Sequence, residues 1–514
     1  MDSKLNQLED SYDIVIAGFG PVGQFCSNIF NRYGIKVVAI EAYSNIYPEP
    51  RSISIDDEIQ RLISSLGLWN KFKKNTVALD FADLIFPNGK VVIRGPVTST
   101  SNGFPFVTTF YQPELESILI KNLDGSKCTD IFLGHEIINF KEEKETIEIS
   151  IKNLKSNKLL KIRTKYLLAC DGSESFIRNK LKINLVDMKY NKEWLIVDAI
   201  LQNFDEIEKV ARYICDPERP TIFTVLTESR VRLEFQLLAG EKGEEMLKDN
   251  NISRLVSPLL KNKEYQIERT AIYRYRGNHA NVLRCNNIFL LGDAAHQIPP
   301  FAGQGLSSGL RDTYNLCWKL AHVIKNGFKD EILDTYEIER IDQIKNTINS
   351  SIALGKLIDS LSIAFKNNTP LDEAVPPEAR EQAYGKKSIT DRSIREGLFS
   401  TLVQDSHIGK LIPMTSLEDK VNSSSIDDLL DLRFAVISSK ESEDLLDEET
   451  LKLFKEMNAV FINISKYKIS NTKFQDLVDT GDIIVRPDKS IYGITSDKVS
   501  LQNLADELFH DLKN

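Results

Sequence analysis

A hydrophobic strand that runs into Gly-Asp, and then into a glycine-rich loop opening a helix, constrains this chain more than any other feature. The stretch is LLGDAAHQIPPFAGQGLSSGLRDTYNLCWKLA at 290–321. A strand ending at Leu291 leaves Gly292 and Asp293 at its carboxyl edge, where a carboxylate accepts hydrogen bonds from sugar-alcohol hydroxyls, as ligands of open α/β sheets require. Gly303, Gly305 and Gly309 let the backbone approach a flat ring, and the helix that follows turns unpaired N–H groups and the positive end of its dipole toward that ring. Such an end stabilises the negative charge that a reduced flavin spreads over N1 and its C2 carbonyl. Taken alone, the segment also fits an ordinary strand-loop-helix with glycine at its turns.

A second glycine motif supplies a place for the other end of such a cofactor. Tyr12–Ala17 reads as a short apolar strand, Gly18, Gly20 and Gly23 fall in GxGxxG register, and a helix from about Pro21 and Val22 presents its amino end to a pyrophosphate. The next strand, Val37–Ile40, ends at Glu41-Ala42, where the acid accepts from both ribose hydroxyls and repels a 2′-phosphate. This motif by itself does not separate NAD from FAD, or either from a tight turn without a ligand. The third segment discriminates. Tyr166–Ala169 is an apolar strand followed by Cys170-Asp171-Gly172 and Arg178, and no second GxGxxG occurs in the chain. One dinucleotide cradle plus two further segments suits tightly held FAD, with any nicotinamide visiting a surface cleft.

Around these motifs stand PRSISIDDE at 50–58, GFPFVTTFYQPELE at 103–116, EWLIVD at 193–198, CDPERP at 215–220, RLEFQLLAGE at 232–241 and GLRDTYNLCWKLA at 309–321. Together the segments resemble the FAD-dependent aromatic hydroxylases of the para-hydroxybenzoate hydroxylase fold, in particular the 3-(3-hydroxyphenyl)propionate hydroxylase-like proteins. The resemblance runs from about residue 12 to 345. It implies that Gly18, Gly20, Pro21, Val22, Gly23, Glu41 and Ala42 hold the AMP half of FAD, and that Arg51 and Gln112 contact its ribose, ribityl or pyrophosphate groups. Asp171 and Gly172 then support flavin and nicotinamide binding, with Arg178 bracing their turn. Asp293 meets the ribitol, Pro299 lies against the isoalloxazine, and Gly305, Leu306 and Ser307 offer backbone donors to its pyrimidine edge after Gly303.

The implied reaction is hydroxylation of a phenolic substrate: hydride passes from NADH or NADPH to the flavin, O2 adds to give a C4a-hydroperoxide, and its distal oxygen attacks the ring. The cofactor supplies that chemistry and the protein a dry, oriented pocket. Oxygenation of a larger polycyclic natural product or antibiotic on the same scaffold is the alternative, as is a non-hydroxylating flavin reductase or oxidase. A base that deprotonates the phenol is expected, with Asp56 or Asp57 as candidates; two acids opening a helix explain them equally well. His296 has two readings, base or loop-stabilising residue, and Arg51 fits a surface salt bridge as well as a cofactor contact. Arg230, Arg232 and Arg276 are either partners of a substrate carboxylate or sheet-surface cations. GQGLS at 303–307 departs from the GQGxN of many relatives. Ala302 and Tyr273-Arg274-Tyr275-Arg276 also depart from the family pattern, which implies an altered substrate pocket.

The fold class expected is α/β, with a discontinuous Rossmann-like FAD-binding domain (1–185 and 280–345), a β-sheet substrate domain (186–279) and a helical linker region (346–395) containing PLDEAVPPEAREQ. A thioredoxin-like domain lacking redox cysteines (396–514) completes it. In the second of these, Val231, Leu233, Phe235 and Leu237 alternate with Arg232, Glu234 and Gln236, the period of a sheet with one apolar and one polar face. The last cysteine is Cys317, so a dithiol role for the tail is excluded by composition. Six scattered cysteines and six histidines without ligand spacing suggest neither a disulfide framework nor a metal site. A net charge of −9 and the lack of a long apolar run or basic leader argue against nucleic acid and membrane partners and for the cytoplasm. A homodimer is the default assembly.

Overall fold

The apolar strand Ser11–Ala17 pairs in parallel with both Val37–Glu41 and Leu159–Ala169, which buries it on each side and explains its unbroken hydrophobic run. The computed structural model describes residues 9–97, 102–202, 208–261, 263–375, 377, 392–419 and 423–513. The first eight residues of the start MDSKLNQLEDSYD, and residues 376 and 378–382 of the linker at 370–382, lie outside them. Strand Thr129–Leu133 extends this sheet beyond Val37–Glu41, and Ile288–Leu290 joins its other side against Leu167–Ala169. Three chain segments far apart in sequence therefore end at one carboxyl edge: Ala17, Ala169 and Leu290, each leading into one of the glycine-bearing loops.

A second, eight-stranded sheet runs in the order 296–297, 265–280, 185–201, 230–236, 221–225, 210–214, 81–85, 91–96. Its outer hairpin, Phe81–Ile85 with Val91–Pro96, comes from the part of the chain that sequence reasoning assigned to the cofactor region; it is joined by parallel pairing of Phe81–Ile85 with Val210–Ile214. One face of this sheet carries Val231, Leu233 and Phe235 and packs on the helix Asp249–Leu260. The opposite face turns toward the first sheet. Helix Gly305–Asn326 is buried nearly throughout, and helix Thr335–Asn367 runs on from it to cover both sheets.

The carboxyl-terminal part contains a four-stranded sheet, ordered 460–463, 435–438, 483–485, 491–494, with the first pair parallel and the other two antiparallel. It is tied to the rest by buried charge. Arg61 makes a bidentate pair with Asp427, both bonds 2.7 Å, and donates to the Ile412 carbonyl. Glu339, on the long helix, accepts from both Nη atoms of Arg486 at 2.8 Å and from Lys319 at 2.9 Å, with all three side chains fully buried. Burial pushes the Glu339 carboxyl up, but Arg486 and Lys319 outweigh it and hold it down at about 2.

Removing one member of such a cluster leaves buried cations uncompensated. Glu339→Gln is expected to cost roughly 3–5 kcal/mol in a urea-unfolding midpoint comparison. Because the folded-state pKa is depressed, the stability from Glu339 is complete above the ordinary carboxyl range and is lost as pH falls from there through about 2. Wild type should therefore lose stability over that acid window more steeply than the variant.

Candidate functional site

Where the three loops meet, a cavity of about 1220 Å³ opens between the carboxyl edge of the first sheet and the inner face of the second. That exceeds the ~300–1,000 Å³ of a single small-molecule pocket, so there is room for more than one ligand. At one end, Gly18 has φ +91°, and a Cβ there would lie 2.4 Å from the Cys170 carbonyl oxygen; only glycine lets the two loops touch. Gly23 does not line the cavity. A Cβ on it would lie 2.2 Å from the Gly18 carbonyl, so it seats the helix Pro21–Tyr33 against the strand turn. Gly20, by contrast, has open space where its Cβ would point, and Pro21 and Val22 also face the cavity at this helix start.

Glu41 and Ala42 line the same end. The Glu41 carboxylate accepts from the N–H of Phe19 at 2.7 Å and of Tyr43 at 2.9 Å, which fixes its oxygens at the cavity wall with lone pairs to spare. Arg51 is exposed to the cavity and lies over the Tyr47 ring at 4.5 Å. Gln112 lines the wall too, and its carbonyl oxygen accepts from the N–H groups of Arg51 and Ser52 at 3.1 and 2.7 Å. Its first job is thus to hold the Arg51 loop.

Asp171 and Gly172 reach the cavity from the second loop. One oxygen of Asp171 accepts from the Ile177 N–H; the other is buried without a partner among the described residues, and burial raises the carboxyl pKa. Arg178 braces this turn by donating to the carbonyls of Ser173 and Ala294. From the third loop, Asp293 opens into the cavity deep in the protein, and desolvation raises its pKa against the pull of His296 and Arg51. Gly303, Gly305 and Leu306 line the wall, and a Cβ on Gly305 would meet open space. The first-turn N–H groups of the helix Gly305–Asn326 have no acceptor one turn back and end here.

Three expectations change, and that for the Ser307 backbone stands. Pro299 is buried away from the cavity, its carbonyl held by the Ser351 hydroxyl, and Pro300, Phe301 and Ala302 take the wall instead. The side chain of Ser307 is buried and does not line the cavity, which leaves its backbone as the group of interest. Asp56 and Asp57 lie outside the cavity lining. Asp56 caps the helix Asp57–Ser65 through the Ile59 N–H and pairs with Arg311, while Asp57 pairs with Arg392 at 2.7 Å. Burial pushes the Asp56 carboxyl up, yet Arg311 and Arg392 hold it at about 2, where it is a poor proton acceptor. Arg230 pairs with Glu268 and does not line the cavity either.

His296 takes the loop-stabilising role: buried, it sits 2.7 Å from Asp312, which also accepts from the Gly292 N–H. Sequence reasoning missed Gln24 and Glu116, which relay from Gln112 to the helix Pro21–Tyr33, and Asp198, which takes up Arg232. Only Asp198 had a signal, as an acid inside the apolar strand EWLIVDAI.

A cradle whose glycines either pack close against the neighbouring loop or face open space, flanked by acid oxygens without a partner among the described residues and by a helix start, fits a dinucleotide carrying a flat ring. A family model described as an FAD binding domain matches residues 11–351. The chain is 30% identical over 350 residues to a 3-(3-hydroxy-phenyl)propionate/3-hydroxycinnamic acid hydroxylase of Escherichia coli O81 (strain ED1a), covering 68% of this chain and 62% of that relative's length. The fold is similar to that of the flavin-dependent monooxygenase PieE in complex with FAD and substrate, at a TM-score of 0.80 and 16% identity over 98% of this chain and 99% of the other. It is similar also to aklavinone-11 hydroxylase in a ternary complex with FAD and aklavinone, at 0.79 and 17% over 98% and 100%.

Two outcomes separate cradle from scaffold. Gly18→Ala is expected to weaken FAD retention at least ~10-fold, read as the ratio of absorbance at the flavin band to that of protein after gel filtration. Asp56→Ala is expected to keep its flavin while losing roughly 3 kcal/mol or more of stability to denaturant, from the lost cap and the uncompensated Arg311.

Proposed function

The chain belongs to the FAD-binding domain family, with FAD as its cofactor, and on that premise we propose that it is an NAD(P)H- and O2-dependent monooxygenase that hydroxylates a phenolic or other aromatic compound. The observation that carries this reading is the continuity of the cavity. It runs from the nucleotide cradle at Gly18–Val22, past Asp293 and the helix start at Gly305, to the inner face of the eight-stranded sheet at Tyr213, Ile222 and Thr224. A ligand on that face lies beside the ring end of the cradle and not at its AMP end. FAD, when bound, supplies acceptance of a hydride from a nicotinamide and delivery of one oxygen atom from O2 to a substrate carbon.

The protein's share is positioning. Glu41 receives the ribose hydroxyls of the AMP half, Asp293 the ribityl chain, and the N–H groups of Gly305, Leu306 and Ser307 the pyrimidine edge, where the helix dipole favours negative charge. Asp171, with one oxygen unpartnered among the described residues, steadies the ring end from the other side. Phe301, edge-on to Trp194 and Tyr275 at 5.7 and 6.0 Å, walls the substrate end with apolar surface that keeps water out.

A second reading, a polycyclic substrate, is favoured by the size of the cavity and by likeness over nearly the whole chain to proteins such as aklavinone-11 hydroxylase. The same division into two sheet-centred parts underlies the proposed domains: cofactor binding over 1–185 and 280–345, and substrate binding over 186–279 with the hairpin at 81–96 added. The carboxyl-terminal strand order, one parallel pair followed by two antiparallel ones, supports a thioredoxin-like domain, which here lacks cysteine and serves packing.

Adding a hydroxylated arene to the FAD-loaded enzyme should accelerate NADH or NADPH oxidation, with oxygenated product formed in proportion to the nicotinamide consumed. Consumption that ends wholly in hydrogen peroxide, with every phenol and polycycle tried, would instead identify an oxidase.

A further inference from the structure

Side chains two apart on a strand share a face, so Arg232 and Glu234 both leave the apolar core and point the other way from Val231, Leu233 and Phe235. That face is not wet. Arg232 and Glu234 are 2% and 5% exposed, stand in register with Thr224 and Ile222 on the next strand, and line the substrate end of the cavity.

The two opposite charges fare differently. Arg232 is paired: it grips Asp198 with bonds of 2.6 and 2.8 Å and donates two more N–H groups to the carbonyls of Pro50 and Arg51. Arg94, another cation of the cavity wall, is held by Asp83 through bonds of 3.0 and 2.8 Å, and Arg274 and Arg276, on the strand of Tyr275, pair with Glu193 at 2.7 Å and Glu174 at 3.6 Å. Glu234 takes a single hydrogen bond, from the Tyr275 hydroxyl to Oε2 at 2.7 Å, and its Oε1 accepts none from the described residues. Tyr275 is itself fixed, stacked on Trp194 at 5.6 Å and 20°. The substrate end thus presents an acid with capacity to spare and cations already neutralised.

Resting on the monooxygenase reading, we infer that this site selects hydroxylated aromatic compounds that carry no carboxylate at this end, with Glu234 as the specificity-determining residue and hydrogen-bond partner of a substrate hydroxyl. A hydroxyl suits Glu234 in either protonation state, since it donates to the carboxylate and accepts from the acid. A carboxylate ligand beside Glu234 meets a like charge, with the neighbouring Arg232 and Arg94 already paired to Asp198 and Asp83, or must force Glu234 to stay protonated. Burial already pushes the Glu234 carboxyl up, with Arg232 and the Tyr275 hydrogen bond pulling the other way.

The test uses FAD-loaded enzyme and matched pairs of increasing size: 3-(3-hydroxyphenyl)propan-1-ol against 3-(3-hydroxyphenyl)propionate, and 6-hydroxy-2-naphthalenemethanol against 6-hydroxy-2-naphthoate. Binding is read near neutral pH by calorimetry and by flavin difference spectra. The alcohol is expected to bind at least ~10-fold more tightly than its acid in any pair that binds, and Glu234→Gln to bring the two within about threefold. Tighter or equal binding of an acid, a ratio that Glu234→Gln leaves unmoved, or no binding by any of the four overturns the inference. The wild-type ratio decides the matter even if the variant fails to fold. A preferred acid that is hydroxylated with coupled NAD(P)H use would leave the monooxygenase reading standing; absence of coupled oxygenation with every arene would remove that reading instead.

Discussion

One buried carboxylate, Asp312, holds the arrangement together. A single oxygen accepts from the Gly292 N–H at 3.0 Å and from His296 at 2.7 Å, and the other accepts from Arg340 at 2.9 Å. The strand end that carries Asp293, the loop that carries His296, and the long helix behind them are thereby fixed to the helix whose start faces the cavity. Burial alone would raise this carboxyl; His296 and Arg340 reverse the balance and keep it ionised. An ionised, fully hydrogen-bonded acid in a dry core is directional, because any shift of the loop leaves a charge unmatched at a cost of several kcal/mol.

The second constraint is the way the substrate sheet reaches across to the cofactor cradle. Arg232 rises from the middle of that sheet to hold the carbonyls of Pro50 and Arg51, while Gln112 holds the N–H groups of Arg51 and Ser52 from the other side. The loop bearing Arg51 is pinned by both. Tyr213 does the same for the third loop by donating to the Phe301 carbonyl. The two ends of the cavity are consequently one rigid unit, and a residue that looks like a free cation in sequence is a strut.

The glycine positions were legible because their requirement is local. Gly18 and Gly303 have left-handed backbone at φ +91° and +62°, and the strand-to-helix turns around them leave a short-range signature. Glu41, Asp171 and Asp293 were legible for the same reason, since each follows the end of an apolar strand. Asp56, Pro299 and Arg232 were not. Their surroundings come from Arg311, Ser351 and Asp198, on other elements, and no spacing in the chain encodes those meetings. The alternation around Val231–Gln236 did reveal two faces, but polar residues on a strand read the same whether they meet solvent or a cavity.

What the amino-acid order determined by itself was therefore the set of strand-to-loop-to-helix turns able to cradle a dinucleotide, along with the two-faced strands of a second sheet and a tail without thiols. Those follow from backbone sterics and hydrophobic period, which act over a few residues. Only the tertiary structure decided which acids are free and which are neutralised. An ion pair depends on distance in space, and here the partners of Arg232, Asp56 and Glu339 arrive from remote parts of the chain. That is why Glu234, unremarkable in the sequence, stands in the wall of the cavity as an acid with one oxygen that no described residue bonds.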